Sequence, residues 1–162
     1  MAGADALGLH LEVINPDVRR SIMPSKANIS VDEYMRAFSY AVPLFGRGQV
    51  STYILAGLGD TQDEILSMCE QLIALGVYPF VVPFVPIAGT ALEHHSAPDS
   101  AFMHAILEPL AQMLVKGDLI SEKVSAGCAR CGACSSLKSY ESRHPSSTNT
   151  KPTSHTAIAQ EA

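Results

Sequence analysis

Basic runs, long apolar runs and a basic leader are all missing from this chain, and each absence removes a class of function. No run of Lys or Arg exceeds the pair Arg19-Arg20, and 11 basic against 16 acidic residues leave a formal net charge of -5. Phosphate backbones are held by a basic footprint, so nucleic acid is not an expected partner. No stretch reaches the roughly 18 consecutive apolar residues of a membrane span, so no membrane partner is expected either. The N-terminus, MAGADALGLHLE, has acids where a secretory signal has its basic end. The expected location is cytoplasmic, where thiols stay reduced. Cysteine is scarce too, with four in 162 residues. Three of the four nevertheless fall within the seven residues from Cys128 to Cys134.

What is present is an ordinary globular balance, 47% hydrophobic and 17% charged, enough for one domain with a real core plus some tail. The run DALGLHLE reads as a strand ending at Glu12, and NPDVRRSI as a helix with Asn15 as N-cap and Pro16 in its first position. Ser30 and Glu33 make a capping box for a helix in which Val31, Tyr34, Phe38, Ala41, Val42 and Phe45 recur at helical spacing. Pro43 is expected to kink or end that helix before Gly46. Val50 to Ala56 is β-rich, and Thr61 with Glu64 forms a second capping box. The helix behind it presents Ile65, Met68, Leu72 and Leu75 on one face.

A third apolar run extends from Val77 to about Val85, with prolines that suggest an interrupted or edge ladder. A helix capped near Asp99 follows, with Phe102, Ile106, Leu110, Met113 and Leu114 inward and Pro109 bending it. The order β-α-β-α-β-α, with strands apolar throughout, predicts a parallel sheet covered by helices, in an open α/β sheet or a barrel. After Glu141 there are eight Ser or Thr, no aromatic residue, and Ile158 as the one large aliphatic side chain. Such a composition buries too little surface to offset chain entropy, so a disordered tail is expected over 142–162.

Ligands of parallel α/β folds bind at the carboxyl ends of strands. Those ends are His10-Leu11-Glu12, Gly57-Leu58-Gly59-Asp60 and Pro86-Ile87-Ala88-Gly89-Thr90. Each alone also has an ordinary explanation as turn or cap. The pair His94-His95 lies in a polar loop, and Cys69, mid-helix beside Met68, reads as a buried structural thiol. Cys128, Cys131 and Cys134 are different. Two-residue spacers let one loop fold three thiolates around a common centre, as iron–sulfur and zinc segments do. Gly127 and Gly132 supply the backbone freedom for that wrap. A [4Fe–4S] cluster with one open iron, or a zinc completed by a histidine or a partner, would both suit three thiolates.

In order and spacing, GLHLEVINPDVRRSIMPSK, FGRGQVSTYILAGLGDT, GVYPFVVPFVPIAGTAL and CARCGACSSLKSYE together resemble the C-terminal half of radical S-adenosylmethionine enzymes of the biotin-synthase-like type. The resemblance runs over residues 3 to 141 and is nearest to a nitrilase-associated subgroup. It implies that residues 1–120 are the last three β-α units of a partial (β/α) TIM-like barrel, followed by a Cys-rich metal-binding segment at 121–141. It further implies that Glu12 lies near the methionine or ribose part of S-adenosylmethionine, and that Arg36 contacts the methionine carboxylate. Gly57, Gly59 and Asp60 would pass the adenine, as would the segment holding Gly89. In that family a cluster on a Cys-x3-Cys-x2-Cys loop generates a 5′-deoxyadenosyl radical, and this chain contains no such motif.

The implied function is that of the C-terminal part of a radical S-adenosylmethionine enzyme, inactive alone. Its implied partner is the missing N-terminal half, or another chain covering an exposed first strand, and its substrate is a small molecule of unknown identity. Cys128, Cys131 and Cys134 then form an accessory site, set apart from the radical-generating one by spacing and position. The alternative is a small iron–sulfur or zinc module for electron transfer or protein interaction.

Overall fold

The computed structural model describes residues 3–125 and 127–144. It is a mixed α/β fold in which three parallel strands lie in the order of the chain. These are β1 (Leu7–Gly8), β2 (Val50–Ala56) and β3 (Val77–Pro83), with α1 (Pro16–Ile22) and α2 (Val31–Phe45) between the first two and α3 (Gln62–Leu75) between the last two. After β3 come α4 (Ser100–Lys116), the single turn α5 (Cys128–Cys131) and α6 (Leu137–Glu141). A slice of a barrel and half of an open sheet share this order. Among the described residues no helix is long and apolar enough to cross a membrane.

The helix starts follow from their caps. Asn15 Oδ1 accepts from the N–H groups of Asp17 and Val18, and Asp99 Oδ1 from that of Phe102. Ser30 with Glu33 and Thr61 with Glu64 close the two expected capping boxes, each satisfying two N–H groups that have no partner inside the helix. Pro43 falls within the last turn of α2, which ends at Phe45 as the sequence suggested.

The hydrogen bonds that Glu64 accepts, first from the Thr61 N–H and then from the Asn15 side chain, hold its carboxyl below the ordinary value of 4.5. A carboxylate with a lowered folded pKa stabilises the fold above its unfolded value and ceases to do so as pH falls through the folded one. Glu64→Gln is therefore expected to lower the urea midpoint at neutral pH, with the gap to wild type closing as pH falls below 4.5 and through the lowered folded value. A gap independent of pH would show that the carboxylate charge contributes nothing.

β1 is shorter than the sequence suggested. Gly8 pairs with Ser51, but the next ladder contact is Glu12 with Ile54, so four steps on the first strand meet three on the second. The extra residue makes a bulge, where the Leu11 N–H turns to Thr52 Oγ1 (2.9 Å) instead of a ladder carbonyl. Leu11 thereby enters the core, fully buried, while His10 swings to the opposite face.

Burial alternates along β2. Val50, Thr52, Ile54 and Ala56 are buried on one face, and Ser51, Tyr53 and Leu55 are half-buried on the other. Register places Tyr78 and Phe80 of β3 beside Ser51 and Tyr53 on that second face. The C-terminal segment folds over it, with Ala129 and Leu137 buried as its anchors. Glu141, assigned on composition to the threshold of the tail, ends α6 and is itself buried. The tail expectation for 145–162 lies outside the described residues.

Candidate functional site

The carboxyl ends of the strands gather several of the residues singled out from sequence. At the end of the first, Glu12 has φ +69°, a left-handed conformation uncommon for a residue with a side chain. Its N–H donates to the Tyr53 carbonyl and its own carbonyl accepts from Leu55, both at 2.8 Å, so the ladder holds the backbone in place. The side chain pairs with Lys26 Nζ at 2.7 Å. Strain fixed by its surroundings is a recurrent mark of functional positions. His10 sits close by, and its pKa is lowered chiefly by burial, with Glu12 opposing and Lys26 reinforcing the shift.

At the second strand end, Gly57 and Gly59 have φ of +101° and +131°. A Cβ on Gly57 would lie 2.6 Å from Pro98, and one on Gly59 would lie 3.1 Å from Val18. Both glycines therefore admit the chain's own side chains in close contact. Asp60 is turned inward and nearly fully buried, accepting from the Ile14 and Asn15 N–H groups at 2.8 Å each. Burial pushes its carboxyl up against the pull of those two donors. Its carboxylate bolts the turn before α1 to the turn before α3, which explains its position without a ligand.

The third end is the most open. A Cβ at Gly89 would touch nothing within 4 Å, and Val85 and Ile87 are exposed. The Gly89 N–H is used within the loop, donating to Glu93 at 2.8 Å. Beside this loop lies a shallow cleft of about 510 Å³ lined by Gly57, His95, Pro98 and Phe102 among others. His95 Nε2 bonds the Gly57 carbonyl at 2.8 Å, and its ring meets Phe84 edge-on. His94 next to it is exposed. The structure does not bring Arg36 to this edge. With Tyr34, Phe38 and Ala41 facing the core, position 36 falls on the outer side of α2, where it lines a groove with Gln71 and Ala74.

The cysteine segment lies over the second sheet face. Gly127 and Gly132, both at positive φ, bracket α5, and the Gly132 N–H closes the turn onto the Cys128 carbonyl at 2.7 Å. Cys128, Cys131 and Cys134 are all exposed, while Cys69 is buried and its thiol is pushed up by that burial. Burial first, then the neighbouring Cys128 and Cys134, pushes the Tyr53 phenol up. The Tyr53 ring is in turn packed edge-on by His10 at 4.6 Å and Phe80 at 5.3 Å between centroids. Among the described residues no three His, Cys, Asp or Glu side chains are arranged around a common point. The donor set, three accessible thiols on one pinned loop, has the chemistry that zinc and iron–sulfur clusters take.

Lys26, Tyr53, His95 and Glu141 received no role from sequence, nor did His10 beyond its place at a strand end. Glu141 meets Tyr78 across 63 residues and Ser121 across 20, and Tyr53 meets His10 and Phe80 from distant parts of the chain, so no local pattern marked them.

Comparison with known proteins gives one distant similarity. The chain is 27% identical over 117 residues to bacteriochlorophyllide c C-7(1)-hydroxylase of Chlorobaculum limnaeum. The match takes in 71% of this chain and 29% of that protein, so the chain spans less than a third of the relative's length. No family model matches, and no solved structure matches.

Proposed function

We propose that this chain is the C-terminal part of a radical S-adenosylmethionine enzyme, and that it carries an accessory metal site on Cys128, Cys131 and Cys134. The observation that carries the reading is the similarity over 117 residues to the hydroxylase, which supports a relationship to radical S-adenosylmethionine proteins. As named, that relative hydroxylates a carbon, a reaction that requires a carbon–hydrogen bond to be broken. In the complete enzyme, reductive cleavage of S-adenosylmethionine supplies a radical able to abstract hydrogen.

The chain's own contribution is the rim of the cofactor pocket in the last three units of a partial barrel. Glu12, held by Lys26 and a strained backbone, presents a carboxylate oxygen to a ribose hydroxyl or an ammonium group. The open backbone at Gly89 offers close approach to a flat adenine, beside the cleft in which His95 fixes the Gly57 carbonyl. Gly59 and Asp60 act one step behind, shaping the turn. The unpaired side of β1 is the edge on which the N-terminal half, or another chain, would add a strand.

Anaerobic reconstitution tests the reading in two steps. The chain alone is expected to take up iron or zinc, and Cys131→Ala to abolish that uptake while the fold is kept. Broad brown absorption identifies iron–sulfur, and a colourless loaded chain identifies zinc. The chain alone is expected to release no 5′-deoxyadenosine from S-adenosylmethionine, with release appearing once an N-terminal half bearing Cys-x3-Cys-x2-Cys is added. Robust turnover by this chain alone would overturn the proposal. Metal uptake without any S-adenosylmethionine chemistry in the reconstituted pair would favour the electron-transfer or interaction module.

A further inference from the structure

Cys128 and Cys131 stand at the two ends of α5, both exposed, with Ala129 between them turned inward and buried. The Cys131 N–H donates to the Gly127 carbonyl at 3.1 Å and the Gly132 N–H to the Cys128 carbonyl at 2.7 Å, which is the bonding of an α-helical turn. Residues three apart on such a turn have Cα atoms about 5 Å from each other. A disulfide takes Cα separations of about 4.4–6.8 Å, so the backbone already meets that condition. The Cβ atoms have further to go, from about 5–6 Å in a regular helix to about 3.5–4.5 Å, a closing of about 1–2 Å.

The flanks of α5 can take up that movement. Gly127 (φ +86°) and Gly132 (φ +71°) bracket the turn, and a Cβ at Gly127 would meet nothing within 4 Å. The segment around them is anchored by buried Ala129 and Leu137, and by Arg130 Nη1 donating to the Val124 carbonyl at 3.2 Å. Cys134 is placed differently. It lies beyond Gly132, whose left-handed conformation ends the helical turn, so it shares no turn of α5 with the other two. A pair also needs no third group, so it does not require three sulfurs to converge as a metal does.

We infer that Cys128 and Cys131 form a reversible dithiol–disulfide pair, oxidised by a small-molecule disulfide of the glutathione type. Cys-x-x-Cys is the spacing that dithiol oxidoreduction uses. The inference goes beyond the metal reading and does not depend on it. In the first step one cysteine gives up its proton and its sulfur attacks a sulfur of the small disulfide. That S–S bond breaks, a mixed disulfide forms, and one small thiol leaves with a proton. In the second step the other cysteine loses its proton and attacks the protein sulfur of the mixed disulfide. The Cys128–Cys131 bond forms and the second small thiol leaves. The chain has lost two protons and two electrons, and the small disulfide has gained them. Excess small thiol reverses both steps. Closing the pair ties up two of the three clustered thiols, so the oxidised segment has only Cys134 left to offer a metal.

The test equilibrates the full chain, reduced and metal-free, in anaerobic mixtures of oxidised and reduced glutathione, then alkylates the remaining thiols under denaturing conditions. Intact mass is expected to show two of the four thiols lost with no glutathione attached, and their return in excess reduced glutathione. Trypsin cuts after Arg130, so a Cys128–Cys131 bond joins two peptides, whereas a Cys131–Cys134 bond stays within one. Cys134→Ser is expected to close the same bond, and Cys131→Ser to stop at a mixed disulfide carrying one glutathione. Both changes are at exposed positions, so the fold is kept. A Cys131–Cys134 bond as the main product, or closure onto Cys134 in Cys131→Ser, would overturn the pairing. Glutathione adducts without ring closure, or no loss of thiols at all, would overturn it as well. The metal reading fails separately. Zn(II) added before the oxidant is expected to keep the thiols available for alkylation after chelation, and oxidation that proceeds unchanged beside Zn(II) counts against the metal site while the pair stands.

Discussion

Replacing Arg19 with methionine is expected to cost about 3–5 kcal/mol of stability, a large share of what a domain of this size possesses. Arg19 is only 2% exposed, yet among the described residues no carboxylate lies within ion-pair distance of it. Its charge is answered by four carbonyls: Nη1 donates to Leu11 (2.8 Å) and Val13 (2.6 Å), and Nη2 to Lys26 and Ile29 (3.2 Å each). It also lies 5.3 Å from the centre of the Tyr34 ring. Methionine fills much of the same volume, so the loss is polar. The Leu11 and Lys26 carbonyls keep the N–H groups of Val13 and Ile29, whereas those of Val13 and Ile29 lose their donor, at about 1–3 kcal/mol each where water does not reach them. Lysine is expected to fall between, since an ammonium cannot span four acceptors with a planar fork. Arg20→Met is the control. Arg20 is exposed and among the described residues pairs only with Asp17, so about 0–1 kcal/mol is expected. Urea unfolding of the three variants decides the matter, and a cost below about 1 kcal/mol for Arg19→Met would mean that water can replace the guanidinium.

The same side chain has a functional consequence. It ties the segment ending β1 to the turn carrying Lys26, and Lys26 is what pairs with Glu12. Milder substitutions that keep the fold, such as Arg19→Lys, are therefore expected to loosen the Glu12 carboxylate as well.

Arg19 also shows where a sequence stops being legible. Arg19 and Arg20 are adjacent and chemically identical, and only the direction in which α1 is buried separates a core staple from a surface charge. Caps, by contrast, could be read directly: Asn15, Ser30 with Glu33, Thr61 with Glu64, and Asp99 all sit where the chain alone places them, because capping is an interaction within four residues. Strands β2 and β3 were legible for a similar reason, as short runs of apolar residues bounded by turns. The bulge before Glu12 was not, since one extra residue leaves an apolar run looking continuous. The resemblance sets Asp60 in the turn that passes the adenine. Its carboxylate serves Ile14 and Asn15, some 45 residues back in the chain, a pairing that only topology creates. Arg36, which the resemblance matches to the contact of the methionine carboxylate, lies on the outer side of α2, a placement that helical phase decides and spacing along the chain does not.

Glu141→Leu is expected to be the second most costly change, about 2–4 kcal/mol, and to act on the cysteine segment without touching a cysteine. The carboxylate is buried and fully used. Oε1 accepts from the Tyr78 hydroxyl at 2.5 Å, while Oε2 accepts from the Ser121 N–H at 3.0 Å and the Ser121 hydroxyl at 2.6 Å. Leucine leaves three donors without an acceptor beneath α6. Gln is expected to cost less, because its carbonyl can serve one side while its amide must face a donor on the other. Burial first, then the charge and hydrogen bond of Glu141, pushes the Tyr78 phenol up, so it stays a donor throughout the working range. The sign follows from proton counting. As pH rises past the ordinary tyrosine value of 10.0, the unfolded chain releases a proton that the folded chain retains, and stability falls. Tyr78→Phe is expected to reduce that alkaline sensitivity, with Tyr53, whose phenol is also pushed up, supplying the remainder. The double variant Glu141→Leu with Tyr78→Phe should cost less than the two single changes together, because the second change removes a donor that the first had stranded. Hydrogen exchange offers the sharper readout. Protection in α6 and around Cys128–Cys134 is expected to drop in Glu141→Leu while β2 and α3 keep theirs. Uniform loss across the sheet would instead make Glu141 a member of the global core, and unchanged protection near the cysteines would show that Ala129 and Leu137 suffice to hold the segment over Tyr53.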